Sequence, residues 1–189
     1  MKNRILELLK DSGAFLEGHF LLTSGKHSNV YIEKFRLMES PEHLDTICEM
    51  MASQFSNSEV DMVLGAAIGG ILLSSGVAKY LNKKSIFTER VKEKMELRRG
   101  FQIKENSNVL IVEDIVSTGG SIFELIDIVK ENNANVIGVA SIVHRSMNSI
   151  NFNCDYKPLL RYPVESWNKD SIPDWLSRIP ITIHGRSGK

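Results

Sequence analysis

The chain has 189 residues, of which 42% are hydrophobic and 24% charged, with 23 basic and 23 acidic side chains. That is enough apolar material for one core, and it is not the composition of a disordered chain. Zero net charge excludes a global basic field for gathering nucleic acid. Two distant cysteines, Cys48 and Cys154, support neither a disulfide framework nor a zinc cluster. No apolar run approaches the roughly 18 residues that span a membrane, so a cytoplasmic location without membrane or nucleic-acid partners is expected.

Residues 3–10 carry Ile5, Leu6, Leu8 and Leu9, the spacing of a short amphipathic helix that ends near Gly13. Its scattered charges are not those of a signal peptide. Residues 14–36 mix aromatic and β-branched side chains around TSGKHSN and read as extended segments about a turn. Ser40 is an N-cap candidate with Pro41 at the first helical position, and Leu44, Ile47, Cys48, Met51 and Phe55 share one face. VDMVL at 60–64 predicts a strand, followed by Gly65 and a helix to about Tyr80. SIFTE at 85–89 predicts a short strand and residues 108–112 a strong one. Ile122, Leu125, Ile126 and Val129 mark the next helix, and VIGVASIV at 136–143 is a long apolar strand. Strands alternating with helices imply an α/β fold with parallel pairing and right-handed crossovers. The tail from 144 reads as edge strands and loops packed on that domain, with Trp167 and Trp175 as packing residues. GRSGK at 185–189 has no helix after it and reads as a tail.

One segment breaks the alternation. ERVKEKMELRRGFQIK at 89–104 holds nine charged residues, six of them basic. It is either a solvated hairpin or helix face, or a mobile basic flap over an anion.

VLIVEDIVSTGGS at 109–121 carries the chemistry. In open α/β sheets ligands sit beyond the carboxyl ends of strands, where Glu113 and Asp114 fall. A helix N-terminus follows, with unpaired N–H groups and a positive dipole end. Ser117, Thr118 and Ser121 offer hydroxyls, and Gly119 and Gly120 allow close backbone approach. This is a phosphate cradle. The acids cannot themselves bind phosphate. They suit ribose hydroxyls, a cation or a developing positive charge. Phosphate plus sugar hydroxyls indicates a sugar phosphate. Acids favoured by the dipole at a helix start are the plainer alternative. No G-x-x-x-x-G-K-[ST] is present, and GAAIGG at 65–70 is not a dinucleotide fingerprint.

The same stretch closely resembles the phosphoribosyl pyrophosphate signature of type I phosphoribosyltransferases. The resemblance implies that family's fold: a central, mostly parallel sheet flanked by helices, with a small hood from N- and C-terminal segments. It implies a single domain over 1–189, with the hood at roughly 1–38 plus part of 150–189 and the core at roughly 40–148. It further implies that Glu113, Asp114, Ile115, Val116, Ser117, Thr118, Gly119, Gly120 and Ser121 bind phosphoribosyl pyrophosphate. The acids would take the ribose hydroxyls and the loop the 5-phosphate. GAAIGG resembles the family's pyrophosphate loop, which puts Ala67 and Ile68 at the ligand and a non-proline cis peptide near Ala67–Ile68. Segment 89–104 matches the flexible catalytic loop in position, with Arg90 binding the substrate and Lys94 catalytic together with Asp114.

HFLLTSGKHSNVYIEKF and SIVHRS at 141–146 resemble the hood and the base-contacting strand of orotate phosphoribosyltransferases. Arg145 and Ser117 are then the implied orotate contacts, since a planar guanidinium fits a carboxylate bidentately. The ending IHGRSGK resembles one bacterial and archaeal branch. The activity implied is orotate plus phosphoribosyl pyrophosphate giving orotidine 5′-monophosphate and pyrophosphate, a step of pyrimidine biosynthesis. Mg²⁺ would be held mainly through substrate and waters rather than by direct protein ligands, and a homodimer would share the flexible loop between subunits. A purine-base phosphoribosyltransferase and a non-catalytic sensor of phosphoribosyl pyrophosphate are the alternatives. Three positions depart from the family's pattern. Thr23 and Gly69 stand where many relatives have lysine, and Glu96 lies near where many have histidine. Lys26 and Lys34 are the candidates for the missing hood charge.

Overall fold

The computed structural model describes residues 2–184; GRSGK at 185–189 lies outside the described residues. The helices are α1 (Lys2–Asp11), α2 (Lys34–Met38), α3 (Pro41–Ser53), α4 (Gly69–Leu81), α5 (Gly120–Glu131) and α6 (Asp174–Ser177). The strands are β1 (Phe15–Leu21), β2 (His27–Ile32), β3 (Met62–Ala66), β4 (Lys84–Val91), β5 (Lys94–Leu97), β6 (Asn108–Val116), β7 (Asn135–His144), β8 (Asp155–Arg161) and β9 (Ile181–Ile183).

Six strands form the main sheet in the order β5-β4-β3-β6-β7-β8. Every neighbouring pair is parallel except the β4–β5 hairpin. The central strand β6 reads as a continuous apolar run because both of its faces are covered. Leu110 and Val112 pack with α3 and α4 side chains such as Ile47, Met51, Leu73 and Val77. Val109 and Ile111 pack on the other face against Ile122, Leu125 and Val129 of α5. Ser40 caps α3 as its pattern predicts, its hydroxyl accepting the His43 N–H at 3.4 Å.

A second sheet, β2-β1-β9, forms the hood. β1 and β2 are antiparallel around the TSGK turn, and β9 joins β1 in parallel, with His19 opposite Ile181. The buried His19 ring ties the segment leading into β9 to β1, with Nδ1 3.0 Å from the Ile179 carbonyl oxygen.

Several boundaries differ from expectation. Residues 34–38 are helical rather than extended, because Glu33 caps them by accepting the Phe35 N–H. β8 extends the main sheet to residue 161, so that sheet does not stop near 148. Helix α1, expected in the hood, buries Ile5 and Leu9 in the same core cluster as α3. The charged segment 89–104 enters as the end of β4 and the whole of β5, a hairpin turning at Lys92–Glu93.

Candidate active site

Strand β6 outruns its neighbour β3. Pairing with β3 stops at Gly65–Val112, whereas pairing with β7 continues to Val116–His144. Residues 113–116 therefore present an open edge towards the start of α4. The acids do not end the strand, as the sequence suggested; they lie within it, on the stretch that β3 leaves uncovered. Asp114 is buried, and its Oδ1 accepts the Ile115 N–H at 2.6 Å. Glu113 Oε1 accepts the Asp114 N–H at 2.9 Å. Burial, reinforced by the adjacent Asp114 charge, pushes the Glu113 carboxyl well above the ordinary glutamate range.

Three adjoining cavities surround this edge. The first, about 300 Å³, is the expected cradle, lined by Ser117, Thr118, Gly119, Gly120 and Ser121 with Glu113 and Arg90. Gly119 caps α5 in the left-handed region at φ 81°, and a Cβ there would stand 2.9 Å from the Phe152 ring. The second, about 810 Å³, runs from the acids to the loop at Ala67–Ile68 and to Tyr31 and Lys34 on the hood side. The Ala67–Ile68 peptide is cis, where the resemblance places it. The third, about 950 Å³, lies between the hood turn and residues 164–167, with Lys26, Ser117, Tyr31, Arg145 and Trp167 on its walls.

Arg145 borders both larger cavities. Its backbone N–H donates to the Val116 carbonyl, which ties it to the end of β6. Among the described residues its guanidinium makes no ion pair. Burial pulls its pKa below the usual arginine value, and the nearby Tyr31 acts weakly the other way. A partly buried cation without an acid partner is costly unless a ligand supplies the anion. Arg145 and Ser117 share the third cavity.

The basic hairpin splits its expected residues. Arg90 faces the cradle and is clamped by Glu124 of α5, at 2.7 and 3.3 Å. Glu124 also accepts the Met95 N–H at 3.1 Å, so one carboxylate holds both hairpin strands against α5. Arg90 in turn holds the Glu124 carboxyl below its ordinary pKa. Lys94 is exposed and lines none of the three cavities of its own chain.

Three features escaped sequence reasoning. Lys34 Nζ lies 2.5 Å from Asp114 Oδ2, so of the two candidate lysines it is the one on the acids. Glu124 carries no mark of its role in the sequence. His184, just after β9, stacks on Tyr31 with ring centroids 5.1 Å apart, and both line the second cavity. The IHG ending was its only signal. Trp167 exchanges backbone hydrogen bonds with His27 while bordering the third cavity, so it packs and lines at once.

Residues 37–149 match the phosphoribosyl transferase domain family. An orotate phosphoribosyltransferase of Thermoanaerobacter sp. (strain X514) is 42% identical over 184 residues, covering 97% of this chain and 97% of that protein. The chain belongs to the orotate phosphoribosyltransferase family. Solved structures agree on the fold. The orotate phosphoribosyltransferase of Aeropyrum pernix superposes with a TM-score of 0.70 at 23% identity, covering 83% of this chain and 93% of that one. The adenine phosphoribosyl transferase of Trypanosoma brucei gives 0.63 at 16% identity, covering 95% and 90%. Backbone likeness extends across both base classes. Among the described residues no helix is long and apolar enough to cross a membrane.

Proposed function

We propose that this chain transfers the 5-phosphoribosyl group from phosphoribosyl pyrophosphate to orotate, releasing pyrophosphate, as a cytoplasmic homodimer. The observation that carries the base assignment is the unpaired Arg145 guanidinium, partly buried beside the cradle. Orotate brings a carboxylate to it; a purine base brings none.

The backbone N–H groups at the start of α5 and the hydroxyls of Ser117, Thr118 and Ser121 take the 5-phosphate. Asp114 and Glu113 accept from the ribose hydroxyls, and Ile115 and Val116 carry the backbone between the two sites. The Asp114 carboxylate also favours the positive charge that develops on the ribose as the carbon–oxygen bond to pyrophosphate breaks. Ala67 and Ile68 border the pyrophosphate side. Arg145, with Ser117, orients the pyrimidine so that its ring nitrogen faces the anomeric carbon. Tyr31 and His184 wall the cleft opposite.

Among the described residues no three His, Cys, Asp or Glu side chains gather as a metal site. Two adjacent carboxylates nevertheless fit a hard cation that keeps waters and substrate oxygens as ligands. Mg²⁺ so bound would offset charge on the leaving pyrophosphate. Arg90 borders the phosphate side from within the chain. Lys94, which lines none of its own chain's cavities, is assigned to the partner subunit's cleft, where it would meet the leaving group.

The test is the ultraviolet absorbance change on mixing the protein with phosphoribosyl pyrophosphate, Mg²⁺ and orotate, with adenine, hypoxanthine and uracil in parallel. Turnover with orotate alone is expected. Turnover with a purine would overturn the role of Arg145. Silence with every base, alongside binding of phosphoribosyl pyrophosphate, would indicate a sensor.

A further inference from the structure

The ion pair between Lys34 and Asp114 is out of place for a structural salt bridge. Asp114 is 5% exposed, and the lysine reaches it from the hood side, at the first position of α2, with 32% of its side chain exposed. The acid is also the proposed partner of ribose hydroxyls, which cannot share all its oxygens with an ammonium. The neighbouring residue, Gly69, opens α4 directly after the cis peptide. A Cβ on Gly69 would overlap Asp114 Oδ2 and stand 3.5 Å from Lys34 Nζ. Position 69 can therefore carry no side chain while the Asp114 carboxylate stays where it is, and the cation beside that acid is the Lys34 ammonium. The other candidate, Lys26, lines the third cavity with Trp167 and does not border the loop at Ala67–Ile68.

We propose that Lys34 is the pyrophosphate-side cation of this site, and that the bare Gly69 leaves room for the Asp114 carboxylate on which it rests. In the empty site the ammonium rests on Asp114. When ribose hydroxyls donate to Asp114, Lys34 loses that partner while a pyrophosphate lies beside the start of α4. Its flexible four-carbon stem lets it follow the charge. The inference rests on the phosphoribosyl-transfer reading, but its test does not need turnover.

The experiment is calorimetric titration of the full chain with pyrophosphate plus Mg²⁺, and separately with orotate. Lys34→Met keeps the stem and removes the charge. It should weaken pyrophosphate binding roughly ten- to hundredfold, the loss of a charge-assisted contact, and leave orotate affinity within about twofold. Lys34→Arg should retain most of the pyrophosphate affinity. Gly69→Lys should be damaging in the native background, because Asp114 is pinned beneath it. In the Lys34→Ala background it should restore pyrophosphate binding, so the two changes are strongly non-additive. Unchanged pyrophosphate affinity in Lys34→Met, or equal effects of Gly69→Lys in both backgrounds, would overturn the proposal. Thermal melting of each variant separates either result from loss of folding. Failure of the native protein to turn over orotate would sink the activity reading while leaving the pyrophosphate measurement interpretable.

Discussion

The two walls of the cleft hold their ligand groups by different means. One wall is a single stretch, 113–121, in which strand, turn and helix start follow one another and the backbone itself supplies donors. The opposite wall is assembled from pieces far apart in the chain: Tyr31 and Lys34 from the hood, Arg145 from the end of β7, and His184 from beyond β9. The first wall is fixed by φ angles and close packing, and side-chain exchange hardly re-aims it. The second is fixed by side-chain contacts between elements, so single substitutions can retune it. On the proposed function, the 5-phosphate falls to the rigid wall, and the base and the pyrophosphate-side cation to the adjustable one.

The largest expected effect falls on the rigid wall. Gly119→Ala adds a Cβ in the left-handed region and against Phe152, at about 1–2 kcal/mol for the backbone and roughly 1–3 for the overlap. Chemical denaturation should register that loss, and binding of phosphoribosyl pyrophosphate should fall with it. A silent Gly119→Ala would mean that the cradle is less preset than its backbone implies.

Next comes the adjustable wall. Arg145→Ala should raise the KM for orotate by about a hundredfold, some 3 kcal/mol, and leave the KM for phosphoribosyl pyrophosphate nearly unchanged. Steady-state kinetics with each substrate varied in turn reads the split. Equal losses for both substrates would erase the division between the walls.

Glu124→Gln is the intermediate case, since it weakens the clamp that links the hairpin to α5 and holds Arg90 beside the cradle. We expect a roughly three- to tenfold fall in turnover, with faster amide exchange across 91–97. Acidification should act alike. Arg90 holds the Glu124 carboxyl below its ordinary pKa, so the clamp is intact above the ordinary glutamate value and is lost as pH falls through the depressed one.

The smallest effect is on stability against pH. Burial raises the Glu113 pKa in the folded chain, so from about 4.3 upward the folded state keeps a proton that the unfolded state has released. Stability should fall as pH rises across that window. In Glu113→Gln the slope of melting temperature against pH should flatten.

The contrast between the walls also governs what the sequence could disclose. The strand of 109–112, the hydroxyls and glycines of 117–121, and the helix marked by Ile122, Leu125 and Val129 are neighbours in the chain, so their periodicities and turn chemistry were readable together. Arg145 was legible only through its resemblance. Whether Lys26 or Lys34 reaches the acids depends on how the hood docks, which no local pattern encodes. The Tyr31–His184 stack depends on β9 pairing with β1 across some 160 positions. Glu124 carries no mark of its role, because an acid on an exposed helix turn looks the same whether it faces water or a hairpin. The extent of β6 was misjudged for a related reason: Glu113 and Asp114 resemble the polar end of a strand, and only the register with β7 reveals that pairing continues.

The parallel pairing of β9 with β1 sets an order of assembly during translation. Nearly the whole of the main sheet and the complete cradle exist once residue 161 has emerged. The hood sheet must wait for residues 181–183 to return across the full length of the chain. The residues of the cradle are therefore all present before the wall carrying Tyr31 and His184 is complete. Slow long-range pairing of this kind leaves β1 with an uncovered edge until residues 181–183 have emerged.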